Sequence, residues 1–206
     1  MKFFASALVG LIALAGVSTL ARAADAPAAT NTVVLGGGCF WCLEHDFRGL
    51  KGVVKAVSGY SGGTIDKPTY DNYHDVSAKT PVPHVEVAAI TYDTTKLTYD
   101  QVLDWYFKHV DPTDGGGQFC DRGPSYRPVI FYGNDVEKTA AEAKKADVAK
   151  VLKAKIAVDI LPAKTFWPAE GYHQDYADKN PIKYKFYRWN CGRDQRVKEV
   201  WGALIN

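Results

Sequence analysis

The chain has 206 residues, 25 Lys and Arg against 23 Asp and Glu, and a net charge of +2 with the two signs interspersed. No basic stripe is present to hold nucleic acid, and the length beyond the N-terminal segment suits one domain with a sizeable core. The 12 Tyr, 9 Phe and 5 Trp exceed what such a core needs and point to an aromatic-lined cleft.

The chain opens with Met1-Lys2, an apolar run over 3–20, and Ala21-Arg22-Ala23 before Asp25. That is the layout of a secretory signal peptide at 1–23, cleaved after Ala23, and the alternative is a retained membrane anchor of similar length. Residues 24–31 are small and Pro-bearing, as in a linker, and 32–206 form the expected domain. Hydrophobic periodicity then predicts a strand at 32–35, a helix at 39–48, strands at 53–58 and 85–92, and a helix at 99–109. A strand at 128–132, a long helix at 135–152 and a strand at 156–161 follow. The first six elements make a βαββαβ order, a ferredoxin-like core in a two-layer α+β sandwich. An amphipathic helix with Val197, Val200, Trp201 and Leu204 closes the chain. Three long loops rich in Gly, Pro, Tyr and Asp, at 59–73, 111–126 and 166–173, are expected to be functional.

The segment Gly36-Gly37-Gly38-Cys39-Phe40-Trp41-Cys42 places two thiols and two aromatic rings where a strand turns into a helix. A helix start offers free N–H groups and a positive dipole end, so a thiolate at Cys39 is expected to be favoured. C-x-x-C by itself serves a redox dithiol or half a metal site, but Cys120 and Cys191 are isolated and no second ligand pair exists for zinc. A thioredoxin-like dithiol site leaves the aromatic loops without a role, and a non-enzymatic module with two disulfides is the remaining alternative. Phe40 and Trp41 can cage a small methyl-bearing group beside Cys39. Glu86, in His84-Val85-Glu86-Val87, alternates with apolar neighbours; facing an apolar pocket, it would stay neutral and serve as a proton donor. The only methionine is Met1, which suits a protein that handles oxidised sulfur.

The chain resembles the type A methionine sulfoxide reductases. The likeness rests on Gly38-Cys39-Phe40-Trp41, Gly59-Tyr60-Ser61-Gly62-Gly63 with Pro68-Thr69-Tyr70, and His84-Val85-Glu86-Val87. It continues through His109-Val110-Asp111-Pro112-Thr113, Asp121-Arg122-Gly123-Pro124-Ser125-Tyr126-Arg127 and Ala169-Glu170-Gly171-Tyr172-His173-Gln174-Asp175-Tyr176. The resemblance implies that Cys39 attacks the sulfur of methionine (S)-sulfoxide, free or in proteins. It assigns Glu86 as the acid, Tyr70 and Tyr126 as donors to the sulfoxide oxygen, and Phe40 and Trp41 as the substrate cage. Asp121 and His173 would hold Tyr126, a water and the substrate amide. The resulting Cys39 sulfenic acid would be resolved by a second thiol. Cys191 matches the family's tail cysteine; Cys42 replaces a glycine usual in the family and lies one helical turn from Cys39; Cys120 is a relay or a buried thiol. The resemblance implies no metal and no organic cofactor, electrons from a thioredoxin-like dithiol protein, and a monomer that meets a membrane only if the N-terminal segment is retained.

Overall fold

The computed structural model describes residues 29–205; the expected signal peptide and most of the expected linker lie outside them. The elements are β1 (Thr30–Gly36), α1 (Phe40–Arg48), β2 (Val53–Ser61), β3 (Val85–Asp93), α2 (Tyr99–Lys108), β4 (Gly117–Gln118), β5 (Asp121–Arg122) and β6 (Val129–Tyr132). They continue with α3 (Asp135–Leu152), β7 (Asp159–Pro162), β8 (Trp167–Pro168), α4 (Tyr176–Lys179), α5 (Pro181–Asn190) and α6 (Arg193–Trp201).

Six strands form one sheet in the order β7-β6-β1-β3-β2-β8, with β1 antiparallel to β3 and β6, and β7 parallel to β6. The inner four, β6-β1-β3-β2, are the expected ferredoxin-like core. Alternation along the strands divides the sheet into two faces. Val33, Leu35, Ala88, Ile90 and Ile130 pack with Leu43 and Phe47 of α1 and Val102, Leu103 and Tyr106 of α2. Val85, Val87, Val129 and Phe131 cluster on the other face against Phe166. Each fully buried Val, Leu, Ile or Phe among these contributes about 1.5–3 kcal/mol. Glu86 shares parity with Ala88 and Ile90, so the same alternation places its carboxyl on the helix-bearing face at the start of α1.

Several boundaries differ from the expected ones. β1 begins at Thr30, because Thr30 and Asn31 pair with Asp93 and Tyr92, so the last two linker residues are strand. β2 runs on through Gly59-Tyr60-Ser61, expected as loop, because β8 pairs with its outer edge at Gly59 and Tyr60. A side chain at Gly59 would meet the Trp167 carbonyl oxygen at 2.4 Å. The strand expected at 156–161 is β7 and starts at Asp159, and Ile156 and Val158 are core residues of the preceding loop. Helix α5 carries no apolar periodicity toward the main core; it starts on Pro181, whose missing N–H costs nothing at a first turn. In the terminal helix Val197 and Trp201 are buried as expected, whereas Leu204 is exposed.

Candidate active site

The glycine run is held by three hydrogen bonds to other elements. Tyr106 donates its hydroxyl to the Gly36 carbonyl at 2.7 Å, Arg193 donates to the Gly37 carbonyl at 3.1 Å, and the Gly38 N–H donates to the Tyr126 carbonyl at 3.2 Å. Gly38 has φ of 80°, and a Cβ there would lie 2.8 Å from Cβ of the buried Gln118, so only glycine fits. Arg193, 2% exposed, also donates to the His109 carbonyl at 2.7 Å, which fastens the start of α6 beneath the glycine run.

Cys39 caps α1 without a side-chain cap bond. Its own N–H donates to Asp121 Oδ2 at 3.4 Å, and the Phe40 N–H donates to Glu86 Oε2 at 3.0 Å. Two carboxyl groups therefore occupy the helix start that the sequence offered to a thiolate. Burial, the thiol of Cys42 and these carboxyls push Cys39 up, which corrects the expectation of a lowered nucleophile. Cys42 is shifted the other way: the hydrogen bond from Cys39 and, less strongly, the Arg193 and Arg188 guanidiniums lower it, so of the two thiols Cys42 is the one whose thiolate is favoured.

Glu86 is 2% exposed, and burial pushes its carboxyl up to about 8. At neutral pH it is a protonated acid, as expected for a carboxyl in an apolar site. Its Oε1 lies 2.8 Å from the Tyr73 hydroxyl, which lies 2.9 Å from the Tyr126 hydroxyl. A single phenolic hydrogen cannot serve both contacts. With Glu86 protonated, Glu86 donates to Tyr73 and Tyr73 donates to Tyr126, leaving the Tyr126 hydrogen free for a ligand.

Eight residues line a cavity of about 70 Å³: Cys39, Phe40, Trp41, Tyr70, Glu86, Asp121, Tyr126 and Tyr187. A liquid water occupies roughly 30 Å³, so the space suits a methylsulfinyl group. Phe40 is 1% exposed and packs among Cys39, Tyr60, Tyr73 and Ala169. Trp41 stacks on Tyr176 at 3.6 Å between ring centres and donates Nε1–H to His173 Nδ1 at 3.0 Å. That bond requires an unprotonated Nδ1, in keeping with a His173 pushed down by burial. The Tyr70 ring lies 4.4 Å from that of His173, and its N–H donates to Glu170 at 2.8 Å.

Asp121 and His173 both lie at the site, with protein partners of their own. Asp121 accepts from Cys39 N–H and, at 2.6 Å, from the Tyr187 hydroxyl; His173 holds Trp41; Tyr126 is held by Tyr73. Tyr73 and Tyr187 were missed in the sequence. Tyr73 sits in a loop already marked by its Tyr content, whereas nothing in the tail singles out Tyr187.

Cys39 and Cys42 are free and buried, while Cys120 and Cys191 form a disulfide with Cα atoms 4.8 Å apart. Their sulfurs lie within 4.8 Å of an Asp121 carboxylate oxygen, and the same carboxyl accepts the Cys39 N–H. This is the cluster of potential metal donors found among the described residues, and with its sulfurs bonded to each other it offers no thiolate to a cation. No described helix is long and apolar enough to cross a membrane.

With a buried cysteine, a second thiol one turn away and a buried acid hydrogen-bonded to the same helix start, the site has the parts of a thiol-dependent oxidoreductase. The family model described as peptide methionine sulfoxide reductase matches residues 31–205. The chain belongs to that family. Peptide methionine sulfoxide reductase MsrA 2 of Caulobacter vibrioides is 50% identical over 192 residues, covering 93% of this chain and 95% of its own. A Staphylococcus aureus protein of the same name is 45% identical over 170 residues, covering 82% and 94%. Among solved structures, reduced Mxr1 from Saccharomyces cerevisiae matches at a TM-score of 0.66 and 32% identity, covering 76% of this chain and 89% of its own. Methionine sulfoxide reductase A of Corynebacterium diphtheriae matches at 0.64 and 28%, covering 77% and 78%.

Proposed function

We propose that the enzyme reduces the S epimer of methionine sulfoxide, free or within proteins, and so repairs oxidised methionine. The carrying observation is a buried Glu86 carboxyl, pushed up to about 8, and a cysteine sharing one 70 Å³ aromatic cavity. The substrate methyl would sit against Phe40 and Trp41, with the oxygen toward Tyr70 and Tyr126. As Cys39 attacks, its proton passes to Cys42, while Glu86 delivers a proton to the oxygen through Tyr73 and Tyr126. The sulfoxide oxygen ends on Cys39: Cys39–SH and the sulfoxide become Cys39–SOH and methionine, a two-electron exchange. A positioned acid of this kind contributes about 10²–10⁴-fold.

Tyr70 and Tyr126 also border an adjoining cleft of about 370 Å³ with Tyr73, His74 and Arg122, where a peptide on either side of the methionine has room. In the reduced chain Cys191 would take the sulfenic acid of Cys39 and Cys120 would then pair with Cys191, giving the arrangement described above. The exposed Cys120 is the sulfur that a thioredoxin-like dithiol protein can reach; yeast Mxr1 has been captured in complex with Trx2. The leader-like residues 1–23 support export to the periplasm or outside the cell. The test is the rate on each sulfoxide epimer with dithiothreitol as reductant, in free and peptide form. Selective turnover of the S epimer is expected; equal rates on both epimers would refute the proposal.

A further inference from the structure

Cys42 is a buried free thiol to which the cycle above gives only a proton. Cys39 caps α1 and Cys42 is its third residue, with the Cys42 N–H donating to the Cys39 carbonyl at 3.1 Å. Cys-x-x-Cys dithiols at this spacing at a helix start form redox-active disulfides. The charged and titratable groups that act on Cys42 are Arg188, Tyr184 and Tyr187 of α5, Arg193 of α6, Cys39 and Asp46 from the α1 segment, and Glu86 of β3. The two guanidiniums stabilise a Cys42 thiolate, the form that attacks sulfenic sulfur. Cys191, by contrast, is already bonded to Cys120, and a closed disulfide leaves it no thiol to offer.

We propose that Cys42 is the resolving thiol whenever the Cys120–Cys191 disulfide is closed, so that one chain reduces two sulfoxides before it needs an electron donor. The proposal rests on the reductase reading. In the step itself, the Cys42 thiolate attacks the sulfur of Cys39–SOH, the S–O bond breaks, and hydroxide leaves as water with one proton. Cys39–SOH and Cys42–SH become a disulfide and H₂O, and the oxidising equivalent is the one taken from the substrate. With Cys39 6% and Cys42 2% exposed, the inner disulfide is shielded from a protein donor. It reopens from within: once a dithiol donor has reduced Cys120–Cys191, the Cys191 thiolate attacks Cys39 and releases Cys42. Cys120 then attacks Cys191, releases Cys39 and restores the outer disulfide.

The experiment uses the full chain carrying Cys120→Ser and Cys191→Ser, fully reduced and given excess methionine (S)-sulfoxide without reductant. Dimedone labelling, alkylation and mass mapping follow. One methionine per chain with a Cys39–Cys42 disulfide and no dimedone adduct is expected. One methionine with dimedone on Cys39 and an alkylatable Cys42 would overturn the inference; no methionine at all would overturn the reductase reading instead. The unaltered chain, treated identically, is expected to release two methionines and retain no thiol. Cys42→Ser is expected to release two but to carry dimedone on Cys39. An alkylatable Cys42 in the exhausted unaltered chain also refutes the pairing.

Discussion

Replacing Glu86 by Gln changes the acid and little else. The amide oxygen can still accept the Phe40 N–H and the amide nitrogen can donate to the Tyr73 oxygen, so the helix start and the tyrosine chain keep their bonds. What is lost is the proton, and a positioned general acid supplies about 10²–10⁴ in rate. The expected result for E86Q is a loss of that size in kcat for methionine (S)-sulfoxide with dithiothreitol, at nearly constant KM. The unaltered enzyme requires Glu86 protonated, so its rate should fall as pH rises through about 8, and E86Q should lack that limb. Stability carries the same sign. A carboxyl that ionises near 4.5 when unfolded and near 8 when folded holds its proton longer in the native state, so stability declines with pH across that window. The full decline is about 5 kcal/mol, order-of-magnitude only, and urea titrations at pH 5 and 9 should show it shrinking in E86Q. E86Q turnover within tenfold of the unaltered enzyme at pH 7 would refute the reasoning.

Tyr73→Phe interrupts the chain from Glu86 to Tyr126 and also removes a hydrogen bond that stabilises the ionised carboxyl. It should lower kcat while moving the alkaline limb to higher pH, read from a pH–rate profile. Trp41→Leu removes the stack on Tyr176 and the bond to His173, and should raise KM by about 1–3 kcal/mol of lost apolar contact, with a smaller change in kcat. Arg193→Met leaves the Gly37 and His109 carbonyls unpaired and weakens the hold on Asp46, which keeps Arg188 at 2.7 Å. A loss of about 3 kcal/mol is expected by urea denaturation, at the low end for breaking a buried ion pair.

The sheet and its helices were legible because strands β1, β3 and β6 are short runs rich in Val, Ile and other apolar residues and α1 and α2 carry single apolar faces. Glu86, set between Val85 and Val87, was legible as an inward residue by the two-residue period of a strand. The state of Cys39 was misjudged because a helix start is positive only while its N–H groups stay free. The two carboxyls that occupy them come from residues 47 and 82 positions further along, a distance no local pattern spans. Tyr73 and Tyr187 were missed for a related reason: their value lies in hydrogen bonds to Glu86 and Asp121, made only once loops and α5 close over the sheet. The pairing of Cys120 with Cys191 is likewise a product of tertiary placement, since 71 residues separate them.

The central claim is that Cys39 alone takes the oxygen from methionine sulfoxide. It is tested most directly in a chain in which Cys42, Cys120 and Cys191 are all replaced by Ser, by counting methionine formed from the S epimer in the absence of reductant. One methionine per chain and a dimedone adduct confined to Cys39 is the predicted result. No methionine from a folded chain, or methionine formed with Cys39 still a free thiol, would contradict it.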